Sequence, residues 1–151
     1  MDEQLKEMYQ QVILDHNKNP RNFKKPEPYT HFAEGYNPLC GDQIDVYLTV
    51  ENGVVIDVGF QGSGCAISKS SASVMTTLIK GKTLEEAEEL FRHFHDLIMG
   101  KEITETDRDA LGKLTVFEGV KDFPSRVKCA SLSWHTMHNA IIGKHENAST
   151  E

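Results

Sequence analysis

The hydrophobic positions near the start of the chain follow a helical spacing. Apolar side chains recur every three or four residues and form one stripe of about four turns, made of Leu5, Met8, Tyr9, Val12, Ile13 and His16. Asn19 and Pro20 follow, and they end the predicted helix because proline disfavours a helical conformation in the residue before it. Residues 21–28 are rich in proline and lysine and have no period, which is typical of an irregular connection.

The spacing then changes to the alternation of strands. Residues 29–36 are compatible with a short strand, and in residues 44–50 every second position is apolar. Asn52-Gly53 follows, which suits the positive φ angles of a two-residue hairpin turn. The returning strand, residues 54–60, is predicted to place Val54, Ile56, Val58 and Phe60 on one face and Val55, Asp57 and Gly59 on the other. We therefore expect an antiparallel hairpin.

Helical spacing returns in the second half of the chain. A mostly buried helix is predicted over residues 65–80, with Gly81 as its C-terminal stop. The next helix begins at Thr83, which forms a capping-box pattern with Glu86, and it continues as far as Gly100.

The last third of the chain contains one weakly patterned stretch and one clear helix. Residues 101–119 are acidic and predict a loop with a helical turn near residues 107–111, whereas residues 125–142 predict a helix. Because strands come early and helices late, without strand–helix–strand alternation, the fold class is predicted to be α+β. We assign residues 1–143 to a single domain and residues 144–151 to a polar tail.

Composition and charge limit the partners of the protein. The chain has 151 residues, and its 16 lysines and arginines against 23 aspartates and glutamates give a net charge of -7. Such a surface repels nucleic-acid phosphate and anionic lipid, so we expect no nucleic-acid partner. No uncharged run reaches the roughly 18 apolar residues of a membrane span, and residues 1–10 contain no apolar signal segment. The expectation is a cytoplasmic protein with no membrane partner.

Two of the three cysteines flank the predicted hairpin. Cys40 precedes Gly41, and Asp42 projects to the same side as Cys40 because alternate residues of an extended chain share a face. Cys65 follows the Gly62-Ser63-Gly64 approach and opens a helix, where free N–H groups and the helix dipole are expected to lower the pKa of its thiol. The start of one hairpin strand lies beside the end of the other, which predicts that Cys40 and Cys65 are neighbours.

The third cysteine lies near the start of the last helix. Cys129 follows Arg126 and Lys128, and these two cations are expected to favour its thiolate. Three cysteines and Asp42 would make a four-coordinate site of mixed sulfur and oxygen ligands, which zinc accepts in tetrahedral geometry. The alternative is that all three cysteines are small buried hydrophobic residues, since that is common for cysteine.

Histidine pairs are a second possible source of metal ligands. His135 and His138 stand three residues apart on the last helix and share a face, so they could bind a metal with a third ligand from elsewhere. The alternative interpretation is that both are half-exposed packing residues. His93 and His95 are two apart on a helix and point in different directions, which disfavours a site.

Several short blocks of the sequence resemble a known family. The blocks are Asn37-Pro38-Leu39-Cys40-Gly41-Asp42, Gly62-Ser63-Gly64-Cys65-Ala66-Ile67-Ser68, Arg126-Val127-Lys128-Cys129-Ala130 and, at the end of the first helix, Asp15-His16-Asn17-Lys18-Asn19-Pro20-Arg21-Asn22. In this order they are similar to the iron–sulfur cluster assembly proteins of the IscU/NifU-N type. The resemblance implies the SufE/IscU-like fold, a small antiparallel three-stranded sheet with helices packed on it.

Details of the sequence resemble the SufU branch of that family. Scaffold-type members carry a histidine directly before the third cysteine, where this chain has Lys128. The longer segment 101–119, Arg126 and the Ser133-Trp134 pair are also similar to that branch. The resemblance implies a zinc-containing sulfur acceptor, which takes persulfide sulfur from a SufS-type, pyridoxal-phosphate-dependent cysteine desulfurase and passes it to downstream iron–sulfur assembly proteins.

The resemblance also suggests a role for each site residue. Cys40 would accept the sulfur, because Gly41 lets its loop move while Asp42, Cys65 and Cys129 hold the zinc. Arg126 would steer the partner or orient Asp42. One alternative is a scaffold that holds a transient iron–sulfur cluster on the same three cysteines, since thiolates bind such clusters equally well. Another is a structural zinc module that serves only as an adaptor.

Overall fold

The structure is a computed structural model that describes residues 3–143 and 148–149. In chain order its elements are α1 (Glu3–Lys18), β1 (His31–Asn37), β2 (Asp42–Glu51), β3 (Val54–Ser63), α2 (Ala66–Ile79), α3 (Leu84–Ile98), α4 (Glu105–Leu111), a 3₁₀-helical segment (Gly112–Asp122), α5 (Pro124–Ile142) and β4 (Ala148–Ser149). The predicted helices, the hairpin and the α+β class are confirmed.

The sheet has the strand order β3-β2-β1-β4. The first three strands are antiparallel, which confirms the three-stranded sheet that the family resemblance implies. The two residues of β4 pair parallel to β1, with Ala148 opposite Gly35. The rest of the predicted polar tail, residues 144–147 and 150–151, lies outside the described residues.

The hairpin turn is as predicted, but the faces on which two side chains of β3 lie are not. Asn52 and Gly53 have φ angles of 52° and 76°, the conformation that their pairing in a two-residue turn requires. A β-bulge then inserts one residue, because Thr49 pairs with Asp57 while Val50 pairs with Val55. Ile56 is the extra residue. It is 44% exposed and Val55 is fully buried, so the predicted faces of these two side chains were wrong.

The hydrophobic core lies between the sheet and the helices. Helix α5 packs on β1 and β2, and α2 packs against both α1 and α5. The indole of Trp134 in α5 is fully buried, with its ring centroid 5.3 Å from that of Phe94 in α3. The Ser71 hydroxyl donates to the carbonyl of Ala130 at 2.6 Å and fastens α2 to α5. Because α2 follows Cys65 directly and α5 carries Cys129, this packing sets the positions of two site cysteines.

The acidic segment 101–119 is more ordered than its sequence predicts. Helix α4 confirms the helical turn predicted near residues 107–111, but most of the 3₁₀-helical segment also lies here, so the prediction of a loop for the rest was wrong. The reason is a hydrophobic repeat of three residues: Leu111, Leu114, Phe117 and Val120 are all buried. A 3₁₀ helix has three residues per turn, so a repeat of three places these side chains on one face.

A buried histidine joins the first helix to α2. The Ser73 hydroxyl oxygen accepts a hydrogen bond from the backbone N–H of Arg21 at 2.8 Å and lies 2.7 Å from Nδ1 of His16. A hydroxyl can both donate and accept, so Ser73 accepts the Arg21 N–H and also shares a hydrogen bond with His16, in either tautomer of the imidazole. Burial lowers the pKa of His16, and the charge of Arg21 lowers it further. The folded protein thus holds this imidazole neutral.

We expect the free energy of unfolding to fall as the pH drops below about 6.5, the ordinary pKa of histidine. The unfolded chain takes up a proton at His16 near that pH, whereas the folded chain does so only at a lower pH, so acid favours unfolding. Urea unfolding at pH 7.5 and 5.5 measures the loss. His16→Gln, which cannot be protonated, should show a smaller loss, and an equal loss in both proteins would contradict this role.

Candidate metal centre

Three junctions between elements meet at one end of the sheet. Asn37 and Asp42 face each other across β1 and β2, so residues 38–41 form a short loop that carries Cys40. Gly41 in this loop has a φ of 70°, a conformation that favours glycine. Cys65 lies between β3 and α2, and Cys129 lies in the second turn of α5. The fold therefore gathers residues that are up to 89 positions apart in sequence.

The distances at this junction are those of a compact ligand set. The sulfurs of Cys40 and Cys129 lie 3.3 Å apart, and the Cys65 sulfur lies 3.9 Å from Oδ2 of Asp42. Ligand atoms of Cys40, Asp42 and Cys129 all lie within 4.8 Å of one another. Tetrahedral zinc, with bonds near 2.3 Å to sulfur and 2.0 Å to oxygen, separates its ligand atoms by about 3.5–3.8 Å. Cys40, Asp42 and Cys129 can hold a metal ion, and Cys65 adjoins them through Asp42.

The thiols differ sharply in accessibility. Cys129 is buried, Cys65 is half-buried and Cys40 is exposed. Asp42 is fully buried. A reagent or partner protein approaching from solvent therefore meets the Cys40 sulfur first.

The buried carboxylate of Asp42 has polar partners but no cationic one. Its Oδ1 accepts the backbone N–H of Cys65 at 2.8 Å, and its Oδ2 accepts an N–H of Asn37 at 3.2 Å. Within the described residues no lysine, arginine or histidine forms an ion pair with it. A buried charge without a counter-charge is costly, so this position favours a bound cation. A Cβ at Gly64 would lie 2.6 Å from Oδ1, which explains the glycine there.

The prediction that nearby cations favour the thiolate of Cys129 was wrong for the protein without metal. Burial raises the pKa of the Cys129 thiol far above its usual range, and hydrogen bonding with Cys40 and Cys65 raises it further. Arg126 does not offset this, because its side chain is exposed and its guanidinium lies 4.5 Å from the ring centre of Phe123. A divalent cation among these sulfurs would supply the positive charge that thiolates require.

Cys65 occupies the position predicted for it. It is the N-cap of α2, and its sulfur accepts the backbone N–H of Ser68 at 3.5 Å. The first turn of the helix thus contributes an N–H donor to this thiol, as expected for a cysteine that opens a helix.

Asn37 is the site residue that the sequence interpretation missed. It is fully buried, and its Nδ2 lies 3.2 Å from Oδ2 of Asp42 and 3.5 Å from the sulfur of Cys129. A signal was available, because an asparagine before a proline often begins a turn through its own side chain. Here Oδ1 of Asn37 accepts the N–H of Leu39 at 3.3 Å.

The histidines of α3 and α5 pack against neighbouring side chains, as in the alternative interpretation. The His135 ring packs edge-on against Phe91 at 5.0 Å, and Nδ1 of His138 lies 2.7 Å from a carboxylate oxygen of Glu88. His93 contacts acidic side chains of its own helix and of α4. Among the residues whose side chains are described, Cys40, Asp42 and Cys129 are the one group of three or more potential metal ligands at close range.

The fold is a small α+β domain with cysteines and an aspartate clustered at one end of its sheet, and comparison with known families shows which class of protein it belongs to. The chain belongs to the family of the NifU-like N-terminal domain, whose model matches residues 8–130. The resemblance drawn from the sequence blocks is thereby confirmed.

Individual relatives belong to two kinds of protein. The chain is 42% identical over 134 residues, 89% of each chain, to the zinc-dependent sulfurtransferase SufU of Bacillus subtilis (strain 168). It is 38% identical over 136 residues to the iron–sulfur cluster assembly scaffold protein IscU of Thermotoga maritima, covering 90% of this chain and 94% of the relative.

A solved structure agrees with the fold. The crystal structure of FiSufU from Fervidobacterium islandicum AW-1, described as an iron–sulfur cluster assembly scaffold protein for the SUF system, superposes with a TM-score of 0.82. It is 37% identical, and the match covers 89% of this chain and 97% of that one. The family therefore places this chain among iron–sulfur cluster assembly proteins, with partners in that process.

No helix in the described part of the chain is long and apolar enough to cross a membrane.

Proposed function

We propose that the protein is a zinc-dependent sulfur acceptor, which takes persulfide sulfur from a SufS-type cysteine desulfurase for iron–sulfur cluster assembly. The observation that carries this proposal is the fully buried Asp42 carboxylate, which has no cationic partner among the described residues and adjoins three thiols of graded exposure. Such a set binds a metal ion and still presents one sulfur to a partner. The likeness to SufU of Bacillus subtilis, which is named for both zinc and sulfur transfer, supports it.

The proposed zinc ligands are Cys40, Asp42, Cys65 and Cys129. The metal, when bound, keeps the thiols deprotonated and protects them from oxidation. Asp42 and Cys129 are the buried members, held by hydrogen bonds on several sides. They stay in place, while Cys40 is carried by a short exposed loop that contains Gly41.

The chemical step is the transfer of one sulfur atom between two cysteines. The Cys40 thiolate attacks the terminal sulfur of the desulfurase persulfide, and a new S–S bond forms on Cys40. The S–S bond of the donor breaks, and the desulfurase cysteine leaves as a thiolate while the proton stays on the transferred sulfur. No external oxidant or reductant is consumed. The exposure of Cys40 supports its assignment as the acceptor.

The second candidate function is a scaffold for a transient iron–sulfur cluster. The likeness to IscU of Thermotoga maritima favours it. Cysteine thiolates bind iron–sulfur clusters as readily as they bind zinc, so the same three cysteines could serve either function. Lys128 favours the sulfur acceptor over the scaffold. It stands directly before the third cysteine, where scaffold-type members carry a histidine, and its ammonium group is not a metal ligand.

Two measurements test the proposed function. Elemental analysis of untagged protein should give about one zinc per chain and no visible chromophore, whereas aerobically stable brown protein with about two irons per chain would favour the scaffold. Adding the protein to a SufS-type cysteine desulfurase with cysteine should speed alanine release. No stimulation, together with efficient cluster transfer to an apo-ferredoxin, would reject the sulfur acceptor.

We expect Asp42→Ala to weaken zinc binding without abolishing it, because water must replace the lost oxygen ligand while three sulfurs remain. Competition with a chromogenic chelator measures the affinity. Asp45→Ala in the same strand is the matched control and should bind zinc like the unmodified protein. An Asp42→Ala variant with unchanged affinity and activity would remove Asp42 from the site.

We expect Arg126→Ala to keep its zinc but to stimulate the desulfurase less, because Arg126 is exposed and its charge is accessible to an anionic partner surface. Charge contacts of this kind weaken as salt is added, so the remaining stimulation should depend less on ionic strength. Alanine release at several salt concentrations checks this, with Arg92→Ala on α3 as the control. Zinc loss from Arg126→Ala would instead make this residue a support of the metal ligands.

A further inference from the structure

The side chain of Asn37 connects three parts of the metal centre. Asn37 is the last residue of β1, and it is fully buried. Its oxygen accepts the N–H of Leu39, inside the loop that carries Cys40, at 3.3 Å. Its nitrogen lies 3.2 Å from Oδ2 of Asp42 and 3.5 Å from the sulfur of Cys129. One carboxamide therefore reaches the loop that carries Cys40 and both buried ligands.

The chemistry of these neighbours fixes the orientation of the carboxamide. A carboxylate and a thiolate both accept hydrogen bonds, so the NH₂ group, with two hydrogens, must face Asp42 and Cys129. The oxygen must face the N–H of Leu39. Aspartate at position 37 would set a second carboxylate against Asp42, and leucine would fill the space with no donor. The position therefore requires a group that both donates and accepts.

The sulfurs differ in the N–H groups they receive. The Cys129 sulfur receives an N–H from Asn37, and the Cys65 sulfur receives the backbone N–H of Ser68. Within the described residues, the hydrogen bond of the Cys40 sulfur is the one with Cys129. An N–H directed at a metal-bound thiolate orients it and withdraws electron density, so the supported sulfurs are the poorer nucleophiles.

We infer that Asn37 is a positioning residue that keeps Asp42 and Cys129 on the metal while the loop moves Cys40 away from it. This inference rests on the proposed function, since it assigns the sulfur-accepting role to Cys40. By holding two ligands and anchoring the loop at Leu39, Asn37 restricts movement to Cys40 and Gly41. It thereby determines which of the three sulfurs leaves the metal and reacts.

The test compares zinc release from Asn37→Leu with release from Asn139→Leu. Asn139 is a second buried asparagine, ten residues beyond Cys129 in α5 and about 15 Å along the helix. Zinc-loaded proteins are mixed with a chromogenic chelator before and after iodoacetamide blocks the accessible thiol. We expect Asn37→Leu to lose zinc faster after blocking, because removing a hydrogen bond to a metal ligand typically weakens metal affinity by about 10- to 100-fold. Asn139→Leu should match the unmodified protein.

The second readout is the cysteine that iodoacetamide modifies, mapped by peptide mass spectrometry on the zinc-loaded proteins. In the unmodified protein the label should fall on Cys40, whereas Asn37→Leu should also label Cys129, a change that a merely structural role would not produce. Unchanged zinc release and unchanged labelling would overturn the inference.

A third variant covers the case in which Asn37→Leu does not fold. Asn37→Ser keeps one donor and one acceptor in a smaller side chain, and zinc release from it should be faster than from the unmodified protein and slower than from any folded Asn37→Leu. Release from Asn37→Ser at the unmodified rate would overturn the inference. Neither readout uses a desulfurase, so these outcomes are separate from failure of the proposed sulfur transfer.

Discussion

Replacing Cys40 by serine is expected to reduce sulfur acceptance from a cysteine desulfurase to the background rate. The thiol of Cys40 is the exposed one, and a hydroxyl in its place cannot form a persulfide. The variant should keep most of its zinc, because Asp42, Cys65 and Cys129 remain and water or the serine oxygen fills the fourth position. Alanine release and elemental analysis measure the two effects.

Leu39→Ala is the matched control for this substitution. It changes the exposed side chain beside Cys40 and leaves the thiol and the backbone N–H that binds Asn37 intact. Sulfur acceptance by Leu39→Ala should stay near that of the unmodified protein. If Cys40→Ser kept full acceptance, another cysteine would be the acceptor.

Replacing Cys129 by alanine should remove both metal and stability. Cys129 is buried beside Asn37 and Cys40, so no water can take its place without rearranging the core. Zinc that binds only the folded state stabilises it by about 4 kcal/mol when free zinc exceeds the dissociation constant 1,000-fold. We therefore expect a loss of several kcal/mol, on the order of that figure, in the free energy of unfolding.

Urea unfolding with and without a chelator separates the metal contribution from the packing contribution. The chelator should destabilise the unmodified protein strongly and Cys129→Ala hardly at all, so that both unfold at similar urea concentrations when zinc is removed. A Cys129→Ala protein that binds zinc normally and unfolds like the unmodified one would exclude Cys129 from the ligand set.

Periodicity predicted the elements of the fold well where side chains alternate clearly between buried and exposed. The hairpin, the capped helix α3 and the last helix all follow from local spacing and turn chemistry. The bulge at Ile56 could not be predicted, because it depends on how two strands align rather than on one strand alone. The buried repeat from Leu111 to Val120 has a period of three and was not recognised as helical.

The candidate site could be predicted in part. Glycines beside Cys40 and Cys65 indicated both residues as candidates. Hairpin geometry predicted that the two cysteines are neighbours, and the structure shows the ends of the hairpin together, with Cys65 against Asp42. The buried environment of Cys129 and the carboxamide of Asn37 depend on the packing of α5 against β1, which no local pattern shows. For the same reason the cations near Cys129 in sequence do not control its pKa, since Arg126 points to solvent.

The central claim is that Cys40 accepts sulfur from a cysteine desulfurase while the other ligands hold zinc. The most direct test mixes zinc-loaded protein with a SufS-type desulfurase and cysteine and maps the added sulfur by peptide mass spectrometry. We predict one extra sulfur atom on the peptide that contains Cys40, with zinc still bound. Sulfur mainly on Cys65 or Cys129, or no added sulfur on any of the three cysteines, would contradict the claim.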